Sequence, residues 1–237
     1  MSFWSPQCLQ QTTALELLAE MRASGVVPST RTYSTAISAC SEGSVGVALL
    51  REMEALGLEP DVFSYSAAIT ACERSRQWQQ ALDVLRRMKG RGVEPNEYSY
   101  ASAIAACHRA ERWDLAIVLL EEMRIMGLRP NVVAYSAAIS ACGEAGNLQM
   151  ALDLLEVMKA ERVQPNVITY NAAISACEKG LNWTRALELL EEMPTKGLRP
   201  NLISYNAAIS ACARAGQWRR ALELVDGVRA AGLEPDI

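Results

Sequence analysis

The chain of 237 residues is half hydrophobic and carries a formal net charge of −4 at pH 7. This bulk charge does not suggest a nucleic-acid partner, although it says nothing about one face of an elongated molecule. The longest apolar run, around Val132–Cys142, contains serines and is much shorter than the roughly 20 residues that span a bilayer. The composition therefore argues against a membrane partner and leaves the fold open.

A period of 35 residues runs along the chain. Proline recurs at this interval from Pro60 to Pro235, and Pro28 precedes Pro60 by 32 residues. Cysteine keeps the same interval from Cys72 to Cys212. A fixed period of this length is typical of one supersecondary unit stacked many times. We expect a partial unit at 1–28, a unit three residues short at 29–60, regular units at 61–95, 96–130, 131–165, 166–200 and 201–235, and the start of a missing continuation at 236–237.

The residue pattern of each unit predicts two helices. In the unit 166–200, Tyr170, Ile174 and Cys177 follow helical spacing, and a second apolar stripe begins at Trp183 after a break at residues 180–182. A glycine three residues before most closing prolines predicts a left-handed helix cap. Arg162 occupies that position once, and there we expect a different cap. The pattern predicts an all-α solenoid of helix-turn-helix units.

Three details of the units carry further expectations. The tryptophans that open the second helices, such as Trp113 and Trp218, are predicted to anchor the core. In the short unit, the missing residues are predicted to fall in the turn between the helices, between Cys40 and Val47. Pro194 is expected to end its helix.

No pattern of catalytic residues is visible. Six of the seven cysteines share one position per unit without any CxxC pair, which predicts buried, reduced thiols and no metal site. His108 is the only histidine and replaces the glutamates of sibling units. No nucleophile–base pair or phosphate-binding loop accompanies it. We therefore expect no enzyme activity, no cofactor and no small-molecule substrate.

The residues of the repeat distinguish between two families whose repeat lengths are similar. The segment "NVITYNAAISACEKG" and the later "ALELLEEMPTKGLRPN" resemble the pentatricopeptide repeat family in its plain 35-residue form, more than the tetratricopeptide family. The resemblance covers about residues 29–237. It implies a right-handed superhelical α-solenoid that binds single-stranded RNA, one base per repeat, with two side chains reading each base.

The resemblance also implies which residues read the bases. The first reader follows the tyrosine of a unit, and the second reader follows its closing proline. An Asn or Asp just before a helix is also an ordinary N-cap, so both roles stay open for the second readers. The implied pairs are Ser34 with Asp61 for guanine, Ser66 with Asn96 and Ser136 with Asn166 for adenine, Ala101 with Asn131 for weak discrimination, Asn171 with Asn201 for cytosine or uracil, and Asn206 with Asp236 for uracil. The implied tract is G-A-(weak)-A-C/U-U.

Two further sets of residues would contact RNA. The residues two before the tyrosine would pack against bases, although Arg31 departs from this pattern: Phe63, Tyr98, Val133, Ile168 and Ile203. Basic residues at the end of the same helices would contact phosphates, while acidic residues on the second helices would leave the RNA groove with a basic excess: Arg74, Arg109, Lys179 and Arg214. These cations could equally stabilise helix ends through the dipole.

The resemblance implies a sequence-selective RNA-binding protein in organelle RNA processing, stability or translation. It implies a mitochondrial or chloroplast location, although no transit peptide is visible in residues 1–28, and an RNA-processing enzyme could be recruited in trans. The alternative is a protein-binding scaffold similar to tetratricopeptide arrays. We predict micromolar or weaker RNA binding that falls steeply with salt.

Overall fold

The computed structural model describes residues 6–233, which form thirteen α-helices and no strand. None of the helices in this range combines the length and hydrophobicity needed to cross a membrane. The prediction of an all-α stack of helical hairpins is confirmed. The chain divides into two compact units, Met1–Arg129 and Pro130–Ile237. Asp236, one of the predicted base readers, lies outside the described residues.

The first compact unit contains a leading helix and three hairpins. In each hairpin the first helix packs against its own second helix and against the first helices of neighbouring hairpins. The first helices α2, α4 and α6 therefore form one layer, and the second helices lie against its other side. The bounds are α1 (Pro6–Ala23), α2 (Thr30–Ala39), α3 (Gly43–Ala55), α4 (Val62–Arg74), α5 (Trp78–Gly90), α6 (Glu97–Arg109) and α7 (Trp113–Ile125).

The second compact unit repeats this arrangement with three hairpins. Its first helices α8, α10 and α12 again form one layer, each packed on the second helix of its own hairpin. The bounds are α8 (Val132–Glu144), α9 (Leu148–Ala160), α10 (Val167–Lys179), α11 (Trp183–Thr195), α12 (Leu202–Arg214) and α13 (Trp218–Ala230).

The core of each hairpin consists of the residues that recur in the sequence. Tyr65, Ile69 and Cys72 of α4 are completely buried, as is Met88 of α5. Burial raises the pKa of the Cys72 thiol to about 12, so the thiolate is disfavoured there. The expectation of buried thiols is confirmed for the six cysteines whose side chains are described.

The tryptophans were expected in this core, and for the most exposed of them that prediction is wrong. Trp113 is 36% exposed and Trp218 is 62% exposed. Both occupy the first residue of a second helix.

The second helices end in a uniform cap. Gly57 has φ +75°, and the amide of the next residue, Leu58, donates to the carbonyl of Met53 at 3.1 Å. The expectation of a different geometry at Arg162 is wrong: its φ is +60°, and the Val163 amide donates to the Met158 carbonyl at 3.0 Å. The hydrogen bonds of this cap outweigh the modest cost of a left-handed arginine.

Two other local expectations are also wrong. Helix α11 continues through Pro194 to Thr195, because a proline in the last turn removes only one hydrogen bond. In the short unit, α2 has 10 residues whereas α4 has 13, so the missing residues shorten the helix rather than the turn. Three residues, 40–42, still connect α2 to α3.

Candidate nucleic-acid interface

A row of exposed apolar side chains marks one end of the first helices. The second residue of α4 is Phe63, which is 57% exposed, and that of α6 is Tyr98, which is 73% exposed. The equivalent residues of α8, α10 and α12 are exposed in the same way. Water is a poor environment for such large apolar groups, so within each compact unit these side chains are candidates for contact with a partner. The row consists of Phe63, Tyr98, Val133, Ile168 and Ile203.

The residue that precedes each of these helices is an N-cap. The Oδ1 atom of Asn96 accepts a hydrogen bond from the Ser99 amide at 2.9 Å, and Asp61 Oδ1 accepts one from the Ser64 amide at 2.8 Å. The capping role that the sequence left open is therefore present in the structure. It uses only one end of the side chain, however. The amide nitrogen of Asn96 and the second carboxylate oxygen of Asp61 remain for another partner.

Asn166 and Asn201 cap α10 and α12 in the same way, each through Oδ1 to the backbone amide of the third helical residue. Asn131 caps α8 by accepting from the amides of Val133 at 3.1 Å and Ala134 at 3.0 Å. The predicted second readers within residues 6–233 thus share one orientation, with Oδ1 turned toward the helix.

The residues that follow the tyrosines bond to the next first helix. Ser66 Oγ lies 2.8 Å from Ser99 Oγ. In the second compact unit, Ser136 Oγ lies 2.7 Å from Thr169 Oγ1. The hydroxyl partner, which had not been predicted, lies in each case at the third position of the following helix. The sequence signal for this hydroxyl partner is the Ser or Thr directly before the tyrosine, which is replaced by Ala134 in α8.

The accessibility of these predicted first readers varies along the chain. Ser34 is 2% exposed, and its hydroxyl donates to the Thr30 carbonyl at 2.8 Å and lies 2.6 Å from Ser64 Oγ. Ala101 and Ser136 are also buried. In contrast, Ser66 and Asn171 are half-buried, and Asn206 is exposed.

One candidate site lies at α4 and α6, with Ser38 of α2 also in its lining. A cavity of about 540 Å³ opens there, within the size range of ligand pockets. Five of its lining residues were predicted from the sequence to contact RNA. They are Phe63, Ser66, Arg74, Asn96 and Tyr98.

The basic residues are less free than the sequence suggested. Arg109 Nε donates to Glu73 Oε1 at 2.6 Å, and Arg214 lies 3.8 Å from Glu178. Lys179 Nζ donates to the Glu144 carbonyl at 3.4 Å. Each partner belongs to the preceding first helix, and the carboxylates of Glu73 and Glu178 reduce the basic excess expected for the groove. Arg74, which lines the cavity, has no ion pair among the described residues.

The sequence matches several models of one family. The pentatricopeptide repeat domain model matches residues 48–109 and 118–179. A second model of the repeat family matches residues 165–214, and a single-repeat model matches 98–128 and 203–233. No curated protein gives a significant match to the chain.

Solved structures show the same relationship. The crystal structure of the maize pentatricopeptide repeat protein PPR10 is 30% identical over 95% of this chain, with a TM-score of 0.68, and the match covers 33% of that protein. The structure of PPR10 in complex with an 18-nt psaJ RNA element is 22% identical over 95% of this chain and 39% of that chain, with a TM-score of 0.59.

A third similar structure is the pentatricopeptide repeat domain of Arabidopsis thaliana protein-only RNase P 1 in complex with tRNA. It is 15% identical over 75% of this chain and 90% of that chain, with a TM-score of 0.62. At these lower identities the likeness concerns the fold alone. The chain spans about a third of the length of PPR10. With the domain model matching more than half of its residues, the chain belongs to the pentatricopeptide repeat family.

Proposed function

We propose that this chain binds single-stranded RNA along its first helices and selects bases through the residue pairs described above. The observation that carries the proposal is the cavity between α4 and α6. Its lining includes two exposed aromatic rings, the predicted readers Ser66 and Asn96, and Arg74, which has no ion pair among the described residues. These are the groups that hold a splayed nucleotide, since aromatic rings stack on bases and arginine binds phosphate.

The capping geometry supports a reading role for the second readers. Because Oδ1 of Asn96 is held by the helix, its amide nitrogen is the atom left for a base, and it donates. Asp61 is held by Oδ1 in the same way and offers an acceptor. The change from Asn to Asp therefore reverses the hydrogen-bonding character of the exposed atom. This agrees with the adenine and guanine preferences implied for the two pairs.

The burial of the first readers refines the proposed tract G-A-(weak)-A-C/U-U. Ser34 is closed off by its own hydrogen bonds, so guanine selection at the first position rests on Asp61, which is exposed. Ser66 and Asn171 remain half-accessible, so two readers act at those positions. The strongest selectivity is expected at the second base.

In the cell, the protein would occupy an RNA tract, exclude nucleases or unfold RNA structure, and recruit any processing enzyme in trans. By analogy with the family, the proposed setting is RNA processing, stability or translation in a mitochondrion or chloroplast. The crystal structure of PPR10 in complex with an 18-nt psaJ RNA element supports this proposal.

Binding of the labelled tract GAAACU and of a scrambled sequence, measured by fluorescence anisotropy at several salt concentrations, tests the function. We expect micromolar binding of the tract, weaker binding of the scrambled RNA and a steep loss with salt. Equal and negligible binding of both would overturn the proposal. That result would favour a protein-binding scaffold.

A further inference from the structure

We propose that the hydroxyl at the third position of α4, α6, α10 and α12 is a positioning residue that links two base readers, the N-cap residue of its own helix and the residue after the tyrosine of the preceding first helix, and fixes the direction of their hydrogen bonds. The inference rests on the proposed function and adds a residue to it. The hydroxyls concerned belong to Ser64, Ser99, Thr169 and Ser204, and all four side chains are completely buried.

Ser99 shows the arrangement between α4 and α6, which we call the open layer because Ser66 lines the cavity there. Its hydroxyl lies 2.9 Å from Asn96 Oδ1, the second reader, and 2.8 Å from Ser66 Oγ, the first reader. The backbone N–H of Asn96 also donates to Ser99 Oγ, at 3.4 Å. One buried oxygen thus contacts both residues that would face the same base.

The arrangement recurs in other layers. Thr169 Oγ1 lies 3.1 Å from Asn166 Oδ1 and 2.7 Å from Ser136 Oγ. Ser204 Oγ lies 3.0 Å from Asn201 Oδ1 and 2.5 Å from Asn171 Oδ1. The contacts with Asn166 and Asn201 are local, three residues apart, whereas those with Ser136 and Asn171 join residues 33 positions apart and are tertiary contacts beyond capping.

Capping alone does not require this hydroxyl. Helix α8 has Ala134 at the third position, and Asn131 still caps it through two backbone amides at 3.1 Å and 3.0 Å. Helix α8 has 13 residues, as do α6 and α10. The hydroxyl therefore supplies something beyond helix initiation, which is the link between the readers.

The link has a direction because a hydroxyl carries a single proton. In the open layer, Ser99 donates to Asn96 Oδ1, so it accepts the proton of Ser66. Ser66 then offers only lone pairs to a base, while the Asn96 amide nitrogen offers a donor. An acceptor beside a donor complements the amino group and N1 of adenine, and it disfavours the opposite pattern of guanine.

With Asn171 as first reader, the geometry differs. Its Oδ1 accepts from Ser204 at 2.5 Å, and its amide nitrogen donates to Asn201 Oδ1 at 3.2 Å. The identity of the first reader therefore changes the atoms that remain for a base. This gives a physical reason for reading the two residues as a pair.

Replacement of Ser99 tests the inference. Ser99→Ala releases the Ser66 proton, so we expect the preference for adenine over guanine at the second base to fall about fivefold, the factor that one neutral hydrogen bond contributes. Ser99→Thr should retain the preference, as Thr169 occupies the same position in α10. Binding of four RNAs that differ only at the second base gives the readout.

Thr32→Ala is the matched control. Thr32 completes the same type of capping box with Ser29, yet its described hydrogen bonds reach no predicted reader. We expect it to lower stability as Ser99→Ala does and to leave every base preference unchanged. An equal loss of adenine preference in Thr32→Ala would show that helix fraying, not positioning, is responsible.

A second measurement does not depend on RNA. Urea unfolding of Ser66→Ala, Ser99→Ala and the double variant forms a thermodynamic cycle, and the linked hydroxyls predict non-additive losses. Additive losses would overturn the link. Non-additive losses with an unchanged adenine preference in Ser99→Ala would overturn the positioning role. If the unaltered protein binds the four RNAs equally, base reading itself fails, and the positioning role fails with it even where the cycle shows coupling.

Discussion

The contacts of α4 with α2 and with α6 contain the same pair of hydroxyls, but the side chains differ in accessibility. Between α2 and α4, Ser34 contacts Ser64 at 2.6 Å, and between α4 and α6, Ser66 contacts Ser99 at 2.8 Å. Ser34 is nevertheless 2% exposed, whereas Ser66 lines a cavity of about 540 Å³. The same pair of hydroxyls thus occurs in a closed layer and in an open one.

The residues around the pairs account for part of the difference. In the closed layer, α2 is three residues shorter than α4, and the following helix begins with Gly43, which approaches the Cys72 backbone directly. The second residue of α2 is Arg31 instead of an aromatic residue. In the open layer, Phe63 and Tyr98 flank the cavity. Comparison of the two layers shows that a reading motif needs accessible surroundings as well as the right residue types.

The largest expected effect is the loss of stability caused by Gly43→Ala in the closed layer. A Cβ atom at Gly43 would lie 2.6 Å from Cys72 Cα and 2.8 Å from its Sγ, so Gly43→Ala forces α3 away from α4. We expect the free energy of unfolding to fall by about 3 kcal/mol, the upper range for overpacking. Urea denaturation followed by circular dichroism measures this change.

Gly90→Ala is the control for this substitution. Gly90 ends α5, and nothing lies within 4 Å of the position of its Cβ. We expect a gain of up to about 1 kcal/mol from the loss of glycine entropy in the unfolded chain. Equal effects of the two substitutions would contradict the tight approach of α3 to α4.

The next effect concerns the aromatic residues of the open layer. Phe63→Ala with Tyr98→Ala removes two exposed rings, and base stacking contributes about 1–3 kcal/mol per base. We expect RNA affinity to fall about tenfold or more by this estimate, with no loss of thermal stability, because neither ring is in the core. Anisotropy titration and thermal melting measure the two quantities. Ile125→Ala, on the 84% exposed Ile125 of α7, should change neither.

A smaller effect compares the second readers of the two layers. Asn96→Asp exchanges a donor for an acceptor and should move the second base from adenine toward guanine, by about tenfold for one well-formed base contact. Asp61→Asn should move the first base in the opposite direction by less, because Ser34 is buried and does not assist. RNA selection in vitro with both variants measures the shifts. A larger shift for Asp61→Asn would contradict the distinction between open and closed layers.

The smallest effect near neutral pH concerns the buried thiols of both layers. Burial raises the pKa of Cys72 from 9.0 to about 12, and burial, with Glu42 nearby, raises that of Cys40 to about 11. Because the unfolded thiols ionise first, their contribution to stability is present below pH 9 and is lost as the pH rises to about 11 for Cys40 and about 12 for Cys72. We expect an unchanged urea midpoint between pH 7 and 8 and a falling midpoint above pH 9. Rapid labelling of these thiols by a disulfide reagent at pH 8 without urea would contradict their burial.

The sequence by itself determined the helices and most of their ends. Apolar spacing at i, i+4 and i+7 defines the buried stripe of a helix, and Asn or Asp before a stripe supplies an N-cap, since both depend only on neighbouring residues. By the family resemblance, Phe63 and Tyr98 were expected to pack against bases, which stays a prediction, and the structure adds that both side chains are exposed. The uniform cap at Arg162 and the shortened α2 were not predicted, as alternative local geometries with similar energies could satisfy the same residues.

Only the tertiary structure decided which predicted readers are accessible and which cations are engaged. Ser34 and Ser66 are the same residue at the same repeat position, but the residues around them differ, both in their own hairpins and in the following ones. The pairing of Arg109 with Glu73 likewise joins residues 36 positions apart. Accessibility and charge pairing depend on the distance between packed helices. That distance is set by side-chain volumes on both partners, which no single repeat contains.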